Sequence, residues 1–128
     1  MKRLLIKIGV LVSLAGCTST PSFAPRPYLD VEVLGMSACP STPVMVSRVK
    51  QAAVQAGFAE QIRYVDLEQL PPEDPRRAWP APTVLVDGRD LMGITRPSGH
   101  ALSCQVWPDG VPSVDDLAIR LRAPHARD

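Results

Sequence analysis

The chain is poor in the residues from which metal-built and disulfide-stapled domains are made. Its 128 residues include only three cysteines, with no C-x-x-C and no H-x-x-x-H spacing. Structural zinc needs four tetrahedral ligands and a coreless scaffold needs several bridges, so both are excluded. Charge of one sign is also lacking: 14 Lys+Arg stand against 13 Asp+Glu, with no basic run. Nucleic acid as a partner is therefore excluded, because displacing counterions from phosphates requires clustered Lys and Arg. No internal repeat is present, no apolar run reaches the ~20 residues of a membrane span, and no cofactor motif occurs. The length permits one domain at most.

What the chain does have is an abrupt change of composition. All fourteen prolines fall after position 20. Before that point, Lys2 and Arg3 lead into an apolar stretch from Leu4 to Leu14 that ends at Ala15 and Gly16. Basic start, apolar middle and small-residue end are the anatomy of a signal peptide, expected over residues 1–16. The segment Leu14-Ala15-Gly16-Cys17 resembles the lipobox of bacterial lipoproteins, which implies that Cys17 is lipidated and becomes the first mature residue. An ordinary secretory signal is the alternative. Losing Lys2, Arg3 and Lys7 leaves 11 basic and 13 acidic residues, so the mature surface is not cationic. Residues 17–27 then form a Pro/Ser-rich tether. The membrane is thus an expected partner, and Thr18 after the lipidated cysteine favours the outer membrane facing the periplasm. An envelope location lies outside the reducing cytosol and permits a disulfide.

Residues 28–122 carry the periodicities of a folded α/β domain, followed by a tail over 123–128. Leu29, Val31 and Val33 alternate with Asp30 and Glu32 up to Gly35, as in a strand. From Pro43 to Ala56 the period changes: Met45, Val49, Ala52, Ala53 and Ala56 mark one face of a helix stopped by Gly57. A second strand is expected over Ile62 to Leu67 and a short helix around Glu73 to Ala78, inside a proline-broken stretch. Thr83 to Val86 reads as a third strand. Asp87-Gly88 is a hairpin signal with a return strand at Asp90 to Met92. Leu102 to Trp107 is ambiguous between strand and buried loop. Ser113 then caps a last helix whose apolar face is Val114, Leu117, Ala118 and Leu121. The predicted architecture is a four-stranded mixed sheet with flanking helices.

The chemistry of interest centres on Cys39, in Ala38-Cys39-Pro40-Ser41-Thr42, between the first strand and the first helix. A helix N-terminus presents backbone N–H groups and the positive end of the macrodipole, which favour thiolate over thiol. Pro40 suits the first turn, and Ser41 and Thr42 have hydroxyls to donate to a thiolate. The competing reading is a buried cysteine serving as a small hydrophobe.

These segments resemble the thioredoxin-like fold. The similarity covers about Leu29 to Arg122 and rests on C-P-S-T opening a helix and on Ala81-Pro82-Thr83-Val84-Leu85-Val86-Asp87-Gly88 leading into the third strand. A group of short bacterial thioredoxin-like proteins is more similar still, with a C-P-N-T-like motif, S-P-T-[VI]-L-V-D-G-R-D and S-C-R-[LV]-Y in the same order. Here the last is Ser103-Cys104-Gln105-Val106-Trp107. The resemblance implies a cis Pro82, preceded by Ala81, packed beside Cys39. Two departures matter. Thr42 stands where a dithiol thioredoxin has its resolving cysteine, and Val33 where it has a buried acid. What remains is similar to monothiol relatives, in which a second thiol must resolve a mixed disulfide. Cys104 is the candidate, provided the fold brings the Cα atoms within ~7 Å.

Three functions follow as expectations. One is a thiol–disulfide redox role through Cys39, with Cys104, acting on a protein or small-thiol partner. A second is a non-catalytic binding module in which a Cys39–Cys104 bond is a permanent staple worth roughly 4 kcal/mol. The third is soft-metal or organomercurial thiol chemistry, since some members of the similar group are labelled alkylmercury lyases; no resident metal site is expected. His100, near Cys104, is read as a surface residue or, alternatively, as a base or soft-metal ligand, and His125 has no assigned role. Asp87, Arg89 and Asp90 are read as turn residues, Trp79 and Trp107 as packing.

Overall fold

The computed structural model describes residues 16–17, 29–58 and 61–123. The expected signal peptide and tether, apart from Gly16 and Cys17, lie outside the described residues, as do Tyr28 and the tail beyond Ala123 with His125. Among the described residues no helix is long and apolar enough to cross a membrane.

The elements follow the order β1 (Val31–Gly35), α1 (Ser41–Ala56), β2 (Ile62–Asp66), two 3-10 turns (Leu67–Gln69 and Pro75–Ala78), β3 (Thr83–Val86), β4 (Arg89–Asp90) and α2 (Val114–Arg122). They build an α/β fold around a four-stranded mixed sheet of order β2-β1-β3-β4. β1 pairs parallel with β2, Val33 opposite Tyr64, and antiparallel with β3, Val33 opposite Val84. A parallel neighbour requires a crossover, and α1 supplies it.

Alternation in the two central strands sorts their side chains into two layers. Val31 and Val33 of β1 and Val84 and Val86 of β3 face both helices, packing with Met45, Val49, Ala52 and Ala53 of α1 and Leu117, Ala118 and Leu121 of α2. Both helices therefore cover the same face. Leu34 and Leu85 point the other way, onto Leu67 and Trp79. That second face is covered by the two 3-10 turns and the chain between them, the short helix expected around Glu73 to Ala78 being the second turn, Pro75–Ala78, and 3-10 rather than α.

The reason is local. Pro71, Pro72 and Pro75 deny the segment consecutive helical N–H donors, and Asp74 Oδ1 accepts from the Arg76 N–H at 2.9 Å, capping a single tight turn. Arg77 stitches this cover together by donating to the carbonyls of Leu67 (3.1 Å) and Leu70 (3.2 Å). Arg76 joins it to the sheet, pairing with Asp74 at 2.8 Å and Glu32 at 3.1 Å.

The hairpin turns at Asp87 (φ 50°) and Gly88 (φ 81°). Two left-handed residues in succession are what a tight two-residue hairpin demands. Asp87 also serves the sheet: its N–H donates to the Asp30 carbonyl (2.8 Å) and its carboxylate accepts from the Asp30 N–H (3.0 Å). So tight a turn brings Arg89 opposite Val86, and the return strand begins one residue earlier than expected. It ends early too, because Asp90 Oδ2 accepts from the Ile94 N–H at 2.9 Å and the chain leaves the sheet.

Gly35 closes β1 for a different reason. A Cβ there would lie 2.6 Å from Thr42 Cγ2 and 2.7 Å from Tyr64 Cε2. Only glycine allows the start of α1 to approach the end of the strand so closely, and that approach fixes where the intervening Cys39 sits.

Candidate functional site

The loop from Met36 to Pro40 connects β1 to α1 and is tightly wound. The Cys39 N–H donates to the Met36 carbonyl (3.2 Å), and the Thr42 N–H donates to the Cys39 carbonyl (3.0 Å). Pro40 is the residue before the helix, already in helical conformation, and no acidic residue occupies the first turn of α1. Cys39 thus lies at the positive end of a 16-residue helix whose first turn holds no acidic residue, while the Ser37 hydroxyl on the same loop donates to the Glu68 carboxylate at 3.2 Å.

The Thr42 hydroxyl, expected to donate to a thiolate, also serves as an acceptor. Thr42 is buried, and its Oγ1 accepts from the Met36 N–H at 3.4 Å, a long bond that ties the loop to the helix. Ser41 is half-buried and Pro40 exposed. Val33 is buried in the apolar layer beneath the helices.

Cys39 and Cys104 are joined by a disulfide, with Cα atoms 5.6 Å apart and a sequence separation of 65. The second sulfur therefore comes from the far side of the chain. Cys104 belongs to an irregular segment whose backbone bridges to Ala81. The Ala81 N–H donates to the Ser103 carbonyl at 2.8 Å, the Gln105 N–H donates to the Ala81 carbonyl at 2.7 Å, and Ala81 and Cys104 form an isolated parallel bridge. Both backbone groups of Ala81 are thereby satisfied. The segment was ambiguous in sequence between strand and buried loop, and it is neither: Cys104 and Val106 are exposed and the chain is irregular on both sides.

The Ala81–Pro82 peptide bond is cis and Pro82 is fully buried. Ala81 belongs to the same apolar cluster as Cys39, together with Leu34, Met36, Leu67, Trp79 and Leu85. Within that cluster Cys39 is only 1% exposed. The resulting disulfide is lopsided, with one cysteine sealed against Trp79 and its neighbours and the other on the surface.

No family model matches the chain. No curated protein and no solved structure matches it either. What the site can do is therefore read from its residues alone.

Sequence reasoning missed the seat of Cys39. Met36 and Leu34 carry no motif, and Trp79, read as packing, belongs to the same buried cluster as Cys39. The clamp of Ala81 by Ser103 and Gln105 uses backbone atoms alone and leaves no side-chain signature. His100 is exposed, and Trp107 is half-buried against the helix-side core. Among the described residues no group of three His, Cys, Asp or Glu side chains is placed to hold a metal ion. The free Cys17 is exposed.

Two carboxylates elsewhere in the domain are shifted from their ordinary range. The Arg76 side chain, hydrogen-bonded to Asp74, holds that carboxyl down to about 2, whereas burial pushes the Asp90 carboxyl up. Beside the loop an open, mostly apolar hollow of about 710 Å³ is bordered by Met36, Thr42, Pro43, Val46, Lys50 and Tyr64.

Proposed function

We propose that the protein is a membrane-tethered, thioredoxin-like thiol–disulfide protein that cycles Cys39 and Cys104 between a disulfide and a dithiol. The observation that carries this reading is the position of the bond. One of its sulfurs belongs to a residue at the positive end of α1, where a thiolate released by reduction is stabilised, and the other belongs to a surface residue that a partner can approach. A mixed sheet of order β2-β1-β3-β4, with the cysteine after β1 and a cis proline before β3, is compatible with a thioredoxin-like fold. Lipid on Cys17 would hold the domain at the periplasmic face of the outer membrane, where partners are protein or small-molecule disulfides. The open hollow beside the loop has room for a partner's apolar side chains.

A second reading is favoured by a specific observation: the burial of Cys39 and the length of the closed loop suit a permanent staple in a non-catalytic binding module. Equilibration of the protein across glutathione redox buffers, followed by alkylation and mass spectrometry of Cys39 and Cys104, separates the two. A midpoint above about -300 mV supports the working couple, and one well below it identifies the staple. Soft-metal chemistry would need both sulfurs reduced.

A further inference from the structure

The two sulfurs of this bond are not equivalent to an incoming thiolate, and the difference assigns them distinct roles. Thiolate attacks a disulfide in line, entering opposite the sulfur that leaves. For Cys39 that line of entry runs through packed side chains, because Cys39 is 1% exposed and seated among Leu34, Met36, Leu67, Trp79 and Leu85. For Cys104 it begins at the surface. Cys104 is exposed, as are its neighbours Ser103 and Val106, the latter 74% exposed.

The helix end favours the same direction of departure, working against the desolvation that burial imposes on a Cys39 thiolate. The better leaving sulfur is the one whose thiolate is more stable. Cys39 leaves at the N-terminus of a 16-residue helix whose first turn has no acidic residue. Cys104, in an irregular segment that bridges to Ala81, has no helix end to stabilise a thiolate.

Resting on the redox reading above, we infer that Cys104 is the partner-facing sulfur and Cys39 the buried resolving sulfur, the reverse of the roles expected from the sequence. In the forward step a partner thiolate bonds to Cys104 Sγ as the Cys39–Cys104 bond breaks, and the electron pair leaves on Cys39 as thiolate. A second partner thiolate then attacks the partner's own sulfur, releasing a partner disulfide and the Cys104 thiolate. Two partner thiols are oxidised and one protein disulfide is reduced. In reverse, the Cys104 thiolate opens a partner disulfide and Cys39 resolves the mixed disulfide on Cys104.

Sulfitolysis reads this directly, since sulfite leaves a stable S-sulfonate on the sulfur it attacks and a thiolate on the other. The full chain in its oxidised form, with Cys17 first capped by N-ethylmaleimide, is exposed briefly to sulfite. It is then acid-quenched, alkylated in denaturant and mapped by mass spectrometry. The expected result is S-sulfonate on Cys104 over Cys39 by about tenfold or more in the native protein, collapsing toward parity in denaturant where burial and the helix are gone. S-sulfonate on Cys39, or on both equally, in the native protein overturns the assignment while leaving the redox couple intact. No native cleavage, with full cleavage in denaturant, overturns the assignment and the redox reading together.

Discussion

Removing both halves of the disulfide, as Cys39→Ala with Cys104→Ala, tests how the fold depends on a bond its helices and strands do not otherwise need. The bond joins residues separated by 65 positions in sequence. In the chain-entropy model a loop of that size restricts the unfolded ensemble by about 4 kcal/mol at 25 °C. A small domain has only about 5–15 kcal/mol of stability in all, so the double variant should lose a large share of its margin. The corresponding drop in Tm is roughly 15–30 °C for a domain of this size. Urea denaturation of wild type and variant, followed by tryptophan fluorescence and circular dichroism, measures the loss. The denaturant slope should rise at the same time, because an uncrosslinked chain expands further and exposes more surface. The same 4 kcal/mol links stability to redox chemistry: the native disulfide should be harder to reduce than the unfolded one by roughly 90 mV. A stability loss below about 1 kcal/mol with an unchanged slope would refute the reasoning, since the bond would then not be restraining the unfolded chain.

Gly35→Ala places a methyl 2.6 Å from the buried Thr42 Cγ2; it should cost about 1–3 kcal/mol in urea unfolding and loosen the start of α1, and a cost near zero would show that the close approach is not needed. Leu117→Ala removes a fully buried side chain from the layer between α2, α1 and the sheet and should cost about 2–5 kcal/mol in thermal or chemical unfolding. The Asp74 carboxyl is held near 2, below its unfolded value of 3.8, so its contribution is present above pH 4 and is lost as pH falls toward 2. With Arg76 partly exposed, that contribution is about 1 kcal/mol, and the stability difference between wild type and Asp74→Asn should shrink over that interval. A difference independent of pH would remove the pair from the account.

Most of the secondary structure was legible because it follows from periodicity. The spacing of Met45, Val49, Ala52 and Ala53 specifies the buried face of α1, and Thr83 to Val86 forms β3 as expected. The layering was harder to read. Both helices cover one face because the proline-rich stretch between β2 and β3 forms two 3-10 turns, and their fit over Leu34 and Leu85 depends on Leu67 and Trp79, far from either strand in sequence. At the site, the sequence indicated Cys39 at a helix start and Cys104 as a distant candidate, and the structure joins them. Which of the two lies buried was not legible. That asymmetry comes from the Ala81 clamp and the Trp79 seat, tertiary features that no motif or spacing encodes.

The order of the sheet gives the cross-link a topological meaning. Cutting the chain at Cys39 and Cys104 separates a covalent ring, containing α1, β2, β3 and β4, from two tails that carry β1 and α2. β1 lies between β2 and β3, so the central strand belongs to a tail while the strands on either side of it belong to the ring. A chain oxidised before it folds must admit β1 into the middle of an already closed circuit, whereas a reduced chain can assemble β1, α1 and β2 as a contiguous unit and close the ring last. Order of assembly is thus built into the connectivity, and the protein folds by its simplest route when the bond forms after the sheet.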